Sequence, residues 1–410
     1  MTDDDASARI LSRRLPGATV LQIVPALNDQ PTARAAVSVA AALLQIGARA
    51  MVASAPGMLV AQLQALGGEW VQMETTTHNP LRLQRSARRL GELIKAERVD
   101  VIHAYGAPAA WSARRAIKDT STFLVTTYAG APPARKERGS FYLGALTAGH
   151  RIITESGYAA DLILKQRNLP ADRIVAISPS IDTARFDPSA VSRERIAILR
   201  HSWGIRPGWR LALVPGALTP ACGQMTAVDA VRILINGGMR GVVVVVAGES
   251  EGDDDYARAL DMRIEAQGLG GLVRRIEQCP DMPAAYVMAD LVIVPCVEPH
   301  TFAVAAAEAQ VMAKPVIASS VGVLPEIILA PPHVEPDART GWLVPPAEPV
   351  ELARAVATAL ALDDSIRQAI GRRARELAAK RFSARHVAAS VLAVYAELLA
   401  HGQEQELRSA

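Results

Sequence analysis

The stretch GVVVVVAGE, residues 241–249, constrains the fold more than any other part of this chain. In a strand, successive side chains point to opposite faces, so five consecutive valines leave no polar side to turn toward water. Such a strand must be covered on both faces, the situation of a parallel sheet with helices above and below it. An antiparallel sheet with one wet face would alternate apolar and polar residues instead.

The same kind of run recurs along the chain. ATVLQIVPAL (18–27) ends at the turn-prone NDQP and leads into ARAAVSVAAALLQIG, whose apolar spacing is helical and which Gly47 terminates. ARAMVASA (48–55), EWVQM, DVIHAYG (100–106), TFLVTTYAG (122–130), HRIITES and RIVAISPSID supply further strands, with helical segments such as LRLQRSARRLGELIKAERV between them. After DTARFDPSAVS the alternation restarts, with strand candidates WRLALVPGAL (209–218), the valine run, LVRRIEQC, ADLVIVPC (289–296) and KPVIASS (314–320). Strands alternating with helices of about 10 to 15 residues predict an α/β protein made of two Rossmann-like, doubly wound domains facing a cleft. Its 410 residues suit two domains of roughly 150 to 200 residues each. The expected divisions are 1–187, 188–382 and a closing helix within 383–410 whose apolar stripe returns to the first domain. Ligands in such folds sit beyond the carboxyl ends of the strands, so the loops that follow strands are where function should be sought.

Composition narrows the field further. The basic residues are scattered with few aromatics among them, and the formal charge is only +3, which gives no basis for a nucleic-acid partner. Cys222, Cys279 and Cys296 form no CxxC pair, which argues against a disulfide framework or zinc knuckle and fits a reducing cytoplasm. The opening MTDDDASARILSRR has no apolar core of a signal peptide, and no apolar run reaches the ~18 residues of a membrane span. EGDDD (251–255) reads as a solvated turn rather than a metal cluster. The basic face of 82–98, with RKER (135–138), implies at most peripheral contact with anionic headgroups at the inner face of a cytoplasmic membrane.

Several segments together carry a family resemblance: DVIHA, AWSA, VTTY, DTARFDP, PGALT followed by GQ, DMPAAYVMADLVIVP, AEAQVMAKPVIAS and TGWLVPP. They resemble the family 4 glycosyltransferases of the GT-B fold, in particular proteobacterial proteins that build lipopolysaccharide and other surface glycans from nucleotide sugars. The likeness runs from VLQIVPAL to GWLVPPAEPVELARAVATAL. It implies an acceptor-side first domain, a donor-side second domain, and retaining transfer from a donor such as a UDP- or GDP-sugar to a glycolipid or glycan, without a metal or other cofactor.

The resemblance also assigns positions, and here the chain departs from the family pattern. A family segment like GRLTRWKGQ holds the donor phosphates with its first Arg and its Lys; this chain reads GALTPACGQ, with Ala217 and Cys222 at those two places. Gly216 and Gly223 remain and would let backbone approach a ligand closely. The family's pair of glutamates, with seven residues between them, is represented by His300 and Glu308, with Glu308 implied as the ribose ligand. Ala303 stands at a glycine position, and the amides of Phe302, Ala303 and Val304 open a helix where a phosphate could bind. No catalytic residue is assigned; His300 and Glu298, two residues earlier, are the candidates.

On the acceptor side a family loop like GGVERG corresponds to NDQPTARA. Gln30 and Pro31 replace its glycines, Ala33 replaces its Glu, and Arg34 alone matches. Ala129 replaces the His of a TTFHG segment, and Ser178, Pro179 and Ser180 replace Pro, Arg and Gly of IPRGVD, while Asp182 matches. His103, at the end of DVIHA, is either a core residue or a further ligand candidate. The expectation is a glycosyltransferase-family protein with weakened or altered catalysis, the alternative being an inactive pseudo-glycosyltransferase that serves a partner protein. Removing one transition-state donor typically lowers a rate about 100- to 1000-fold, and here several are substituted.

Overall fold

The computed structural model describes residues 15–77, 79–130, 139–250 and 254–409. RKER and most of EGDDD lie outside the described residues, as does the N-terminal segment up to residue 14. The chain divides into two compact units, one ending at Ser180 and resuming at Ala384, the other Ile181–Ser383.

The first unit is built on a seven-stranded parallel sheet in the order β3-β2-β1-β4-β5-β6-β7. Its strands are β1 (Thr19–Ala26), β2 (Arg49–Ala55), β3 (Glu69–Gln72), β4 (Val101–Tyr105), β5 (Phe123–Tyr128), β6 (Arg151–Thr154) and β7 (Ile174–Ala176). Alternation along β1 divides its side chains between two cores. Val20 and Val24 join one with Val52, Val101 and Val125, while Leu21 and Ile23 join the other with Met51, Ile102 and Leu124. The closing helix Ala384–Ser409 contributes Val391, Leu392 and Tyr395 to the first of these cores.

The second unit has a six-stranded parallel sheet, ordered β10-β9-β8-β11-β12-β13. Its strands are β8 (Arg210–Pro215), β9 (Val242–Ala247), β10 (Val273–Ile276), β11 (Leu291–Val294), β12 (Val316–Ser319) and β13 (Gly341–Val344). The valine run behaves as its lack of a polar face requires: Val243 and Val245 enter one core, and Val244 and Val246 the core on the opposite face. Each such side chain, removed fully from water, contributes roughly 1.5 to 3 kcal/mol before chain entropy is counted. In both units the strand order reverses beside the first strand, giving the doubly wound arrangement. The sixth strand, β13, was not among the sequence candidates. It has four residues, of which Trp342 and Leu343 are only partly buried, so it lacks the long apolar run that marks the others.

Among the described residues no single helix is long and apolar enough to cross a membrane.

Candidate functional site

In the second unit the loops after β8, β9 and β10 and the start of the helix Val304–Val311 enclose a cavity of about 280 Å³. Its lining includes Gly216, Gly248, Glu249, Glu277, Cys279 and Tyr286, with Val304 and Glu308 from the helix. The loop after β8 can approach the loop after β9 only because residue 248 is glycine: a Cβ there would lie 1.8 Å from the Gly216 carbonyl oxygen. Buried Gln224 holds the β8 loop from beneath, donating to the Ala217 carbonyl at 2.8 Å and accepting from the Tyr256 hydroxyl at 3.1 Å.

Glu308 sits on the cavity wall, and the fully buried Tyr286 donates its hydroxyl proton to Glu308 Oε2 at 3.0 Å. Burial raises the Glu308 carboxyl to about 7, against the opposing pull of that hydrogen bond and of Arg185. The residue therefore accepts or donates hydrogen bonds according to pH. The helix bearing it starts at Ala303, which has no side chain to cap the first turn, and Val304 at the cavity wall is half exposed. Free amides of such a turn favour an anion. Phe302 turns elsewhere, its ring edge-to-face with Phe382 at 5.9 Å.

Beside the cavity lies a second cluster. The loop after β11 is tied to the loop after β8 by the amides of Val297 and Glu298, which donate to the Ala221 carbonyl at 2.9 and 3.3 Å. Gly223 allows this contact. It has φ +72°, and a Cβ would stand 2.0 Å from the Pro295 carbonyl oxygen. The two loops set Cys222 beside Cys296 and His300, and Thr219 Oγ1 donates to Cys222 Sγ at 3.4 Å. These partners draw the Cys222 thiol below its ordinary range, the adjoining thiol first among them. Cys296 is pushed up by the same neighbour and by burial, and His300 is raised by hydrogen bonding toward Cys222 against the opposing effect of burial. His300 Nε2 is shielded from solvent with no hydrogen-bond partner among the described residues, while the His300 carbonyl accepts from the Val323 amide at 3.0 Å.

The structure thus distributes the expected site residues unevenly. Gly216, Val304 and Glu308 share the cavity wall, with Ala303 at the foot of the same helix. Gly223 and His300 belong to the cysteine cluster instead, and Glu298 is exposed to solvent and is not among the lining residues. In the first unit, His103 is corrected from ligand candidate to core residue. It is fully buried, its Nδ1 is 2.6 Å from the Tyr395 hydroxyl, its Nε2 is 2.6 Å from Thr127 Oγ1, and burial pushes its ring down to about 3. Arg34 forms a two-pronged ion pair with Asp29 at 2.5 and 2.8 Å. Tyr286, Gln224, Glu249 and Glu277 escaped the sequence reading. The last two stand directly after strands β9 and β10, where loop position alone marks them. Among the described residues no group of three or more metal-ligating side chains is assembled.

Two family profiles match this architecture in chain order: "Glycosyltransferase Family 4" over residues 34–185 and "Glycosyl transferases group 1" over residues 210–362. The chain belongs to the GT-B glycosyltransferases. A glycosyltransferase of Rickettsia africae superposes with a TM-score of 0.79 at 24% identity, over 93% of this chain and 99% of the other. Anabaena HepE in complex with UDP superposes with a TM-score of 0.72 at 20% identity, over 93% and 100%. These two likenesses bear on fold. In sequence, the chain is 29% identical over 257 residues to a D-inositol 3-phosphate glycosyltransferase of Saccharomonospora viridis. That match covers 61% of this GT-B chain and 56% of the relative, so the chain spans little more than half of the relative's length.

Proposed function

We propose that this GT-B protein binds a nucleotide-sugar donor in the cavity of its second unit and transfers the sugar slowly to a glycolipid or surface-glycan acceptor. The observation that carries the reading is Glu308, presented on the cavity wall at the opening of a helix and held by Tyr286. A carboxylate there can accept the two hydroxyls of a ribose, and the helix start beside it suits the adjoining phosphate. The structure of HepE with UDP supports a nucleotide in a protein of this fold. No metal is required, since backbone amides serve the phosphate.

The slowness follows from charge. The cavity's lining residues include Glu249, Glu277 and Glu308 but no Lys or Arg. A nucleoside diphosphate leaving group develops negative charge, and fixed cations are the usual means of offsetting it. Arg185, whose charge reaches Glu308, is not among the lining residues, and the Lys314 ammonium is taken inside to donate to the Val287 carbonyl at 2.8 Å. That same lack of cations favours the second reading, an inactive family member retained as the partner of another protein. A cytoplasmic protein touching the membrane face fits either reading.

Thermal unfolding with millimolar UDP, GDP and their sugars separates the two. Under the first reading one of them raises the melting temperature saturably, Glu308→Ala abolishes the shift, and nucleotide is released when cell glycolipid is added. Restoring both cations, as Ala217→Arg with Cys222→Lys, should then raise that release by about 100-fold or more. No shift with any nucleotide or nucleotide sugar would sink the first reading and leave the partner role.

A further inference from the structure

We propose that Cys222 is a thiol-modification site that takes small-molecule disulfides such as oxidised glutathione, with Cys296 as its resolving thiol. The inference stands apart from the donor reading, because thiol chemistry reports it and nucleotide binding does not.

Four features of the fold converge on these two cysteines. Cys222 is partly exposed and Cys296 is 5% exposed, so an incoming disulfide meets Cys222 first and the second thiol lies behind it. The stretches that carry them are already joined by the Val297 and Glu298 amides on the Ala221 carbonyl, which holds the chain next to one cysteine against the chain next to the other, as a short cross-link requires. Cys222 immediately precedes Gly223, the N-cap of the 13-residue helix Gln224–Asn236, so the positive end of a helix dipole faces it. His300, four residues beyond Cys296 on the same loop, adds an imidazole that favours the Cys222 thiolate. Thiolate stabilised by a helix start, an imidazole and an adjoining thiol is the setting in which cysteines exchange disulfides.

The step balances as an exchange. The Cys222 thiolate attacks one sulfur of oxidised glutathione, forming a mixed disulfide and expelling a glutathione thiolate. Cys296 gives up its proton and attacks Cys222 Sγ, expelling the second glutathione thiolate. The two protons lost by the protein thiols end on the two glutathiones, so the protein is oxidised by two electrons and the small disulfide is reduced by two. The product ties the loop after β8 to the loop after β11.

Cys279 serves as the internal reference, since burial pushes its thiol up. The native full-length protein would be treated with oxidised glutathione at pH 5.5 and mapped by peptide mass spectrometry over time. A thiol ionised at that pH holds about 1000 times the thiolate of an ordinary cysteine and loses roughly 100-fold in nucleophilicity, leaving a rate advantage of about tenfold. The wild type should yield a Cys222–Cys296 cross-linked peptide at least about tenfold faster than any adduct at Cys279. Cys296→Ser should stop at a lasting glutathione adduct on Cys222, and Cys222→Ser should give neither product. Equal labelling of Cys222 and Cys279 in the wild type would overturn the proposal, whatever the variants do. So would a Cys222 adduct that persists in the wild type without the cross-link.

Discussion

The carboxyl of Glu308 is the group whose environment can be tested most directly. Replacing it with glutamine keeps an oxygen to accept from Tyr286, which stands 3.0 Å from Oε2, and removes only the ionisation. Burial lifts the folded carboxyl from 4.5 to about 7. Below pH 4.5 it is protonated in folded and unfolded chains alike and contributes nothing to the pH dependence. As pH rises toward 7 the unfolded chain releases its proton while the folded chain keeps it, so stability falls; above 7 the loss is constant. Linkage between pH 5 and pH 8 then amounts to about 2 to 3 kcal/mol, toward the lower end because the cavity admits some solvent. Urea unfolding of wild type and Glu308→Gln at those two pH values supplies the test. The variant should gain about 2 kcal/mol on the wild type between pH 5 and pH 8. If the two proteins keep the same stability difference at both pH values, within about 0.5 kcal/mol, Glu308 ionises as a surface carboxylate does and the cavity is not dry enough to govern it.

Two further substitutions probe the frames on which these sites rest. Tyr395→Phe removes the hydroxyl 2.6 Å from His103 Nδ1, leaving a buried ring nitrogen unpaired, and should destabilise the first unit by about 1 to 3 kcal/mol in chemical denaturation; a change below about 0.3 kcal/mol would refute the network. Gly223→Ala puts a Cβ 2.0 Å from the Pro295 carbonyl oxygen at φ +72°, so the loops must part. A loss of about 2 kcal/mol or more should accompany slower cross-linking of Cys222 to Cys296, and an unchanged rate would show that the loop contact does not set the cysteine pair.

The fold was readable because its signals are local. A run of valines needs two covered faces wherever it lies, and the split of Val243 and Val245 from Val244 and Val246 between two cores is that requirement met. β13 was missed for the same reason in reverse: four residues, of which Trp342 and Leu343 are only partly buried, carry no pattern that outweighs a loop. The site was less readable because it is made by contacts between distant segments. Nothing around Tyr286 in DMPAAYVM announces that its hydroxyl reaches Glu308, and nothing in DVIHAYG shows that Tyr395, at the other end of the chain, closes off His103.

The substituted positions illustrate the limit most clearly. Taken along the sequence, a cysteine where the family pattern carries a lysine and a histidine where it carries a glutamate are two separate losses of donor chemistry. Folded, the loop that carries one is hydrogen-bonded to the loop that carries the other, through the Val297 and Glu298 amides on the Ala221 carbonyl, and Cys296 stands beside that link. Lysine and glutamate stay charged across the neutral range, whereas a thiol and an imidazole titrate near it, so the exchange replaces fixed charges with groups that protons and oxidants can alter. A donor site that has merely decayed has no reason to place its replacements against one another. Two matched replacements across a loop contact held by Gly223 are better explained as a change of chemistry than as its disappearance.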